Sequence, residues 1–270
     1  MLVSICIPTL CSSEIRLEKL AESIRCSLDQ THTDIEVLVV DNASAIPLEE
    51  RLRPRFDDPR LKFKRNAERV SMPMNFNKAL EWASGDIIKP LCDDDLMHPG
   101  LVAGCIPALE RHPFLRIRDK AFVETSELQW SGRYTANADR ELTWRQKYDI
   151  VDAIAPTCTM FTRRVWATVG PYNANVNYIW DYMFAMDAQM RFGFTLLPDV
   201  GCAFRVWPES STAANTDGLR NYREMHLLFG RYKSLSIQTA KYLYLLRMLR
   251  RTAKDRSVFK ETLRLLPNYL

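Results

Sequence analysis

The chain has 270 residues, of which 47% are hydrophobic and 26% charged, and its formal net charge is +4. This is an ordinary soluble composition, and the length allows one large domain or a domain with an appendage. No stretch approaches the roughly 20 apolar residues of a membrane span. The N-terminus also lacks the basic start and the long apolar core of a signal peptide. We therefore expect a protein that is neither secreted nor transmembrane.

Seven cysteines, an odd number, are spread along the chain without a CxxC pair or a Cys/His cluster at zinc spacing. This usage favours the reducing cytoplasm and gives no reason to expect a zinc site.

The charge is unevenly distributed along the chain. Residues 220–270 hold 12 Lys or Arg against 3 Asp or Glu, so the preceding part is acidic. A basic segment of this kind suits an anionic membrane surface. Its aromatic and basic residues match no nucleic-acid recognition module, so we expect no nucleic-acid partner. The expected location is the cytoplasm, with the inner face of the membrane as an option.

The first part of the chain alternates between buried strands and amphipathic helices. A β-branched run from Val3 to Thr9 predicts a strand, and apolar residues at helical spacing predict a helix over Glu14 to Leu28. A second apolar run, Ile35 to Val40, completes a unit that is typical of a parallel sheet. The same patterns predict helices at Leu48–Phe56 and Pro73–Ala83 and strands at Leu61–Lys64 and Asp86–Leu91.

The pattern becomes weaker in the second part of the chain. Leu96 to Pro99 has the composition of a helix start, and an aspartate before it would be the N-cap. The later predictions, in chain order, are a helix at Leu101–His112, a strand at Ala121–Thr125, a variable loop at Ser126–Asp149, a strand at Thr157–Thr162, a helix at Arg163–Val169, a helix from Ile179 to Gly193, a strand at Phe194–Leu197, and two or three helices within Leu219–Leu270.

The run Asp93-Asp94-Asp95 follows the predicted strand at Asp86–Leu91. Three adjacent carboxylates repel one another, and a divalent metal that carries a diphosphate is a common way to neutralise them. A solvated acidic turn is the alternative. Because ligands bind beyond the carboxyl ends of parallel strands, we expect this triplet to meet Asp41, Pro8 and Thr9 in one crevice.

A set of short motifs in a fixed order gives the chain a specific resemblance. The first part contains Ser4-Ile5-Cys6-Ile7-Pro8-Thr9, Val39-Val40-Asp41-Asn42-Ala43-Ser44, Asn75-x-Asn77-Lys78-Ala79-Leu80, and the aspartate triplet with Pro99. The second part contains Val169-Gly170-Pro171-Tyr172, Trp180-Asp181-Tyr182 and Arg191-Phe192-Gly193. Over residues 2–212 the chain resembles family 2 glycosyltransferases. The resemblance implies the GT-A fold, an α/β fold with a mostly parallel central sheet flanked by helices, together with a nucleotide-sugar donor and inverting transfer of one sugar.

The resemblance also implies a role for each matched residue at the donor side. Asp94 would ligate a divalent metal, Mn²⁺ or Mg²⁺, with Asp95 in support, and Asp93 would face the ribose. Asp41 would accept a hydrogen bond from the base or ribose, and a turn residue is the alternative. The other wall of the nucleotide site would be formed by Pro8 and Thr9. A metal held by a carboxylate stabilises the charge that develops on a diphosphate leaving group.

Inversion needs a carboxylate that takes the proton of the acceptor hydroxyl during its attack on the anomeric carbon. Asp181 is the candidate, because it lies in the first turn of a predicted helix and about 200° from Ile179, off the apolar stripe. A simple helix cap is the alternative. Asp187, further along the helix, is the reserve.

The chain departs from the family pattern at one position. The family often has an Arg-x-His segment whose histidine is a further metal ligand, whereas this chain reads Arg205-Val206-Trp207. Tryptophan cannot ligate a metal, so either the site has fewer protein ligands or a mobile loop supplies one. His98 is close to the triplet in sequence, but an exposed histidine at a helix start is the expected description.

Three basic side chains flank the helix that precedes the fourth strand: Arg65, Arg69 and Lys78. Each is either a solvated surface charge or a cation that meets phosphate. Arg69 is included among the expected nucleotide-binding residues.

We therefore predict a metal-dependent inverting glycosyltransferase that uses a UDP- or dTDP-sugar and a glycan or lipid-linked acceptor. The predicted domain covers residues 1–217, with a nucleotide-sugar-binding half (1–98) and an acceptor-binding half (99–217). A basic amphipathic tail (218–270) would pack on this domain or bind peripherally to a membrane. A degenerate protein that binds a nucleotide sugar without turnover is the alternative. A sugar nucleotidyltransferase is disfavoured, since Thr9-Leu10-Cys11-Ser12-Ser13 has no glycine or lysine for a phosphate-binding loop.

Overall fold

The computed structural model describes residues 1–130, 132–134, 154–193, 195–210 and 220–232, with a few single positions in the remaining tail. The predicted loop at Ser126–Asp149 therefore lies mostly outside the described residues, as do the predicted tail helices beyond residue 232. No helix in the described part of the chain is long and apolar enough to cross a membrane.

One sheet of eight strands forms the centre of the described structure, in the order β3-β2-β1-β4-β7-β6-β8-β5. The strands are β1 (Val3–Thr9), β2 (Ile35–Asp41), β3 (Leu61–Arg65), β4 (Ile87–Pro90), β5 (Leu96–Met97), β6 (Phe114–Phe122), β7 (Thr159–Thr162) and β8 (Leu196–Arg205). The pairs around β1 and β2 are parallel, as is β6 with β8, whereas β4–β7, β6–β7 and β5–β8 are antiparallel. The predicted α/β class with a mostly parallel sheet is confirmed.

Helices cover both faces of this sheet. They are α1 (Glu14–Leu28), α2 (Leu48–Leu52), α3 (Met72–Trp82), α4 (Leu101–Arg111), α5 (Arg163–Val169), α6 (Trp180–Phe192) and α7 (Arg220–Arg231). Apolar side chains of α1, α2 and α4 fill the core on one face. Those of α3, α6 and α7 fill the core on the other. Strands β1 and β2 are buried along their whole length, which explains why they read as continuous apolar runs.

The first helix of the tail packs on the body of the protein. Met225, Leu228 and Phe229 of α7 are buried in the same apolar cluster as Phe76 of α3 and Phe184 of α6. Of the two expectations for the tail, packing on the domain therefore applies to α7.

Several predicted elements in the second part are wrong in position or type. β6 begins at Phe114 and not at Ala121, and β8 continues to Arg205 and not to Leu197. Both strands contain charged or small residues that hide the apolar pattern, yet they pair with neighbouring strands along their length, and the first four residues of β6 are buried. The segment expected to start a helix at Leu96 is the short strand β5, because it pairs with β8.

Two helix boundaries also differ from the predictions. The helix expected to reach Phe56 ends at Leu52, where a short 3-10 helix over Arg53–Arg55 follows and contains Pro54. In the second part, α4 begins at Leu101 after Gly100, so no aspartate of the triplet is its N-cap.

Candidate active site

The ends of β1, β2 and β4 meet at one edge of the sheet. Thr9 and Asp41 are register partners, and the backbone N–H of Asn42 donates to the Thr9 carbonyl at 2.8 Å. The hydroxyl of Thr9 donates to a carboxylate oxygen of Asp93. Pro8, also a predicted site residue, is buried beside this contact. Three strand ends therefore converge through direct hydrogen bonds, as the parallel topology requires.

The three aspartates of the triplet occupy different environments in the tight turn between β4 and β5. Asp93 and Asp94 are partly buried, whereas Asp95 has 0% exposure. Asp95 accepts hydrogen bonds from the Arg205 N–H at 3.0 Å and the Thr157 hydroxyl at 2.6 Å. Both of its carboxylate oxygens are thus used inside the protein, which favours a role in holding the turn over direct contact with a metal.

The negative charge of the triplet is not fully compensated by these bonds. Burial and the neighbouring charge of Asp94 raise the pKa of Asp93 and of Asp95 above the ordinary value of an aspartate. A bound cation would have the opposite effect, because it stabilises the ionised carboxylates. The turn is therefore suited to a positively charged ligand.

The buried side chain of Arg205 stabilises the turn that contains the triplet. Arg205 has 0% exposure, and its guanidinium donates to the Asp94 carbonyl at 2.8 Å and to the Val123 carbonyl at 3.1 Å. It also forms an ion pair with Glu22 of α1. These contacts connect β8, α1 and the turn, so the arginine of the Arg-x-His position has a positioning role here.

Asp94 has one carboxylate oxygen that is available to a metal ion. One oxygen, Oδ2, accepts a hydrogen bond from the Trp207 indole at 2.7 Å, and Oδ1 has no hydrogen-bond partner within the described residues. In that part of the chain no group of three His, Cys, Asp or Glu side chains is placed to share a metal. Mg²⁺ is usually held by one or two carboxylates together with water and substrate phosphates, and Oδ1 of Asp94 could join such a ligand set.

Asp41 is held in its turn and paired with a cation. Its Oδ1 accepts the Ser44 N–H at 2.8 Å, and its Oδ2 accepts from Arg65 at 2.6 Å. Asp41 is 4% exposed, whereas about half of the Arg65 side chain is exposed. Arg65 is therefore the solvent-facing member of this ion pair.

A cavity of about 520 Å³ opens beside the Asp41–Arg65 pair. It is lined by residues of the β2–α2 loop, α2 and the end of β3: Asp41, Ala45, Pro47, Leu48, Glu49, Glu50, Phe63, Lys64 and Arg65. The volume is within the range of small-molecule pockets.

His98 and Arg69 were both considered as residues of the site. His98 is 5% exposed and not exposed at a helix start, because its ring nitrogens contact the Gly100 N–H at 2.9 Å and the Gly132 carbonyl at 3.0 Å. Arg69 is exposed in the segment before α3, and no hydrogen bond or ion pair joins it to the other described residues.

Asp181 lies in the first turn of α6, partly buried. Its Oδ1 accepts the Tyr182 N–H at 2.8 Å, so one oxygen satisfies a backbone N–H of the first turn, although Ile179 and not Asp181 is the N-cap residue. Burial raises the pKa of Asp181 to about 7, although backbone hydrogen bonds oppose the shift. An aspartate with this pKa can take a proton near neutral pH.

Tyr172 is a buried side chain that lies near both Asp181 and Cys92. Burial raises the pKa of its hydroxyl, and the nearby charges of Asp181 and then Cys92 raise it further. Cys92 directly precedes the triplet, and Tyr172 also packs on Trp180 with ring centroids 4.8 Å apart. Asp181 and Cys92 thus share Tyr172 as a neighbour.

The start of α6 is fixed by a residue of the tail. The Glu224 carboxylate of α7 accepts the N–H groups of Asn177 at 2.9 Å and Tyr178 at 2.8 Å, and of Ile179 at 3.3 Å. Further along α6, Asp187 pairs with Arg231 at 2.9 Å and accepts from the Tyr232 hydroxyl.

Sequence reasoning missed the roles of Glu224, Arg205 and Trp207 in the site, and it gave Arg65 no role as the partner of Asp41. Three of these contacts join positions more than 40 residues apart in the chain. The single acid within the basic sequence of α7 was a possible signal for Glu224, but its partners lie 45 to 47 residues away in the chain.

The geometry and fold define the class of protein. The structure is similar to S. aureus TarS 1–349 in complex with UDP-GlcNAc, with a TM-score of 0.72, 15% identity and coverage of 100% of this chain and 78% of that chain. It is also similar to the mannosyltransferase PcManGT from Pyrobaculum calidifontis in complex with GDP-Man and Mn²⁺, with a TM-score of 0.62, 15% identity and coverage of 98% and 85%. The fold is thus of the GT-A type.

The sequence comparison identifies the family. The model described as Glycosyl transferase family 2 matches residues 4–170, so the chain belongs to this family and is a glycosyltransferase. A relative in Bacillus subtilis (strain 168), the uncharacterized glycosyltransferase YwdF, is 23% identical over 255 residues, which cover 90% of this chain and 91% of the relative. The uncharacterized protein MT1568 of Mycobacterium tuberculosis is 25% identical over 215 residues, which cover 73% and 65%.

Proposed function

We propose that this family 2 glycosyltransferase transfers a sugar, with inversion, from a UDP- or dTDP-linked donor to a glycan or lipid-linked acceptor. The observation that carries the proposal is the convergence of Thr9, Asp41, Asp93 and Asp94 at one sheet edge, through direct hydrogen bonds and strand pairing. The UDP-GlcNAc complex of the structurally similar TarS supports a UDP-sugar.

The nucleotide diphosphate would lie across this edge. The nucleoside is proposed to enter the cavity beside Asp41, where Lys64 and Arg65 are the lining cations. Arg69, exposed in the segment before α3, would be a further cation for the nucleotide, and Asp93 would face the ribose. Pro8 and Thr9 would close the other side. Asp94 would hold Mn²⁺ or Mg²⁺, with Asp95 keeping the turn in place. The ion would act as a Lewis acid that stabilises negative charge on the leaving diphosphate.

The protein groups would carry out the remaining chemistry. The acceptor hydroxyl oxygen forms a bond to the anomeric carbon while the bond from that carbon to the diphosphate oxygen breaks. The diphosphate leaves with the electron pair, and Asp181 accepts the proton of the hydroxyl. A buried carboxylate with a pKa of about 7 is suited to this transfer at neutral pH.

The division of the chain follows from the same proposal. Residues 1–98 would bind the donor and residues 99–217 the acceptor. In the tail, α7 supports α6, and the basic residues further along would meet an anionic membrane that presents a lipid-linked acceptor. Co-sedimentation with anionic liposomes tests this last step, since deletion of residues 235–270 should abolish binding. Equal binding after the deletion would argue against it.

A two-stage assay tests the proposed reaction. Thermal-shift measurements with UDP, dTDP and GDP sugars, with and without Mn²⁺, should give the largest stabilisation for the true donor together with the metal. Transfer and hydrolysis of that donor are then measured. Release of nucleotide diphosphate supports the proposal, whereas metal-dependent binding without any turnover would indicate a protein that only binds nucleotide sugars.

A further inference from the structure

Trp207 touches the proposed metal ligand directly. It lies two residues beyond the end of β8, is 8% exposed, and its indole N–H donates to Oδ2 of Asp94 at 2.7 Å. An indole nitrogen is a hydrogen-bond donor only and has no lone pair for a metal. Its bond therefore acts on the carboxylate and not on an ion.

Two cations of α1 also contact the indole ring of Trp207. The Arg16 guanidinium of α1 lies over the ring, 5.0 Å from its centroid, and the Lys19 ammonium is 6.0 Å away. Arg16 also donates to the Glu209 carbonyl, and the Ser13 hydroxyl donates to the Glu209 carboxylate at 3.2 Å. The segment after β8 is thus fastened across the start of α1, so the ring cannot easily turn away from Asp94.

The two oxygens of Asp94 consequently differ. Oδ2 is engaged by the indole, and Oδ1 has no partner among the described residues. Hydrogen bonds from a second layer of residues commonly orient metal-binding carboxylates, and their loss costs about 10- to 100-fold in metal affinity.

We propose that Trp207 is a positioning residue that fixes the Asp94 carboxylate, so that Oδ1 is presented to the divalent cation of the donor complex. This inference rests on the proposed function, because it assumes that Asp94 binds the cation. It assigns to tryptophan a supporting role at the position where the family often has a ligating histidine.

The test is the Mn²⁺ affinity of the full chain in the presence of UDP, measured by titration calorimetry and by electron paramagnetic resonance of free Mn²⁺. The variant W207F keeps an aromatic ring and removes the N–H. We expect its Mn²⁺ affinity to fall about 10-fold, while UDP affinity without metal stays unchanged. The matched control is W166F, at a partly buried tryptophan of α5. It should bind Mn²⁺ like the wild type.

A second variant covers the case in which W207F does not fold. Benzothienylalanine at position 207 has the shape of tryptophan but carries sulfur in place of the N–H, and the same loss of Mn²⁺ affinity is expected. Unchanged or tighter Mn²⁺ binding in a folded variant would overturn the inference. If the wild type itself binds no Mn²⁺ with any nucleotide of the donor panel, the proposed function fails first, so the two failures are distinguishable.

Discussion

Substitution of Asp181 by asparagine is the perturbation that most directly tests the proposed base. Asparagine has nearly the same shape, retains a carbonyl oxygen that can accept the Tyr182 N–H, and cannot take a proton. General-base catalysis contributes about 100-fold to 10,000-fold, so we expect turnover by D181N to fall by that factor. Donor binding should change little, because Asp181 lies on the acceptor side in the proposed site.

The pH dependence follows from the raised pKa. The base must be ionised, so activity should rise as the pH rises through about 7. With that pKa, about one tenth of the carboxylate is ionised at about pH 6 and nine tenths at about pH 8, which predicts a ratio of about 10 in kcat/KM. Initial rates of nucleotide diphosphate release across this range provide the measurement.

Stability supplies a readout that is independent of activity. The pKa of Asp181 is higher in the folded state, about 7, than its ordinary value of 3.8. The contribution of Asp181 to stability is therefore largest below pH 3.8 and decreases as the pH rises from 3.8 to 7, because the folded state resists ionisation of this carboxyl group. D181N lacks this penalty, so its melting temperature relative to the wild type should be higher at pH 8 than at pH 4.

The matched control is D187N, the same change on the same helix. Asp187 is paired with Arg231 and Tyr232 in α7, so we expect a loss of stability and an unaltered pH profile. Turnover by D181N at the wild-type rate, or a flat profile between pH 6 and pH 8 in the wild type, would refute the assignment of the base.

Two further predictions concern the support of the site and of the sheet. The substitution E224Q removes the negative charge that caps the segment before α6, so the free energy of unfolding should fall by about 1 kcal/mol, measured by urea denaturation, and an unchanged value would contradict the capping role. Burial alone would raise the pKa of Glu36, but hydrogen bonds led by those from Lys62 and Ser4 outweigh it and lower the pKa to about 2. Its stabilisation is present above its ordinary pKa of 4.5 and is lost as the pH falls towards 2, so E36Q should reduce the melting temperature at pH 7 more than at pH 3.

The sequence predicts the first half of the fold well for a physical reason. Strands β1 and β2 are buried on both faces, so their β-branched runs are uninterrupted, and local pattern alone identifies them. β6 contains Arg116 with 0% exposure, and a buried arginine disrupts any apolar pattern. β5 has two residues and exists through its pairing with β8, which is distant in sequence.

The candidate site is also predictable only where it depends on local sequence pattern. The position of the triplet and of Asp41 follows from strand ends in a parallel sheet, which is a local inference. The different hydrogen-bond partners of the three aspartates do not follow from the sequence. It depends on Trp207, Arg205 and Thr157, which reach the turn from 62 to 113 residues away in the chain.

The central claim is that Asp94 binds the donor diphosphate through a divalent cation at the meeting point of the strand ends. Titration calorimetry of UDP, and of the other nucleoside diphosphates, against the wild type and D94N, each with and without Mn²⁺, measures this most directly. We expect tight binding by the wild type that requires Mn²⁺, and no gain from Mn²⁺ in D94N. Binding of equal strength in D94N, or wild-type binding that is indifferent to the metal, would contradict the account.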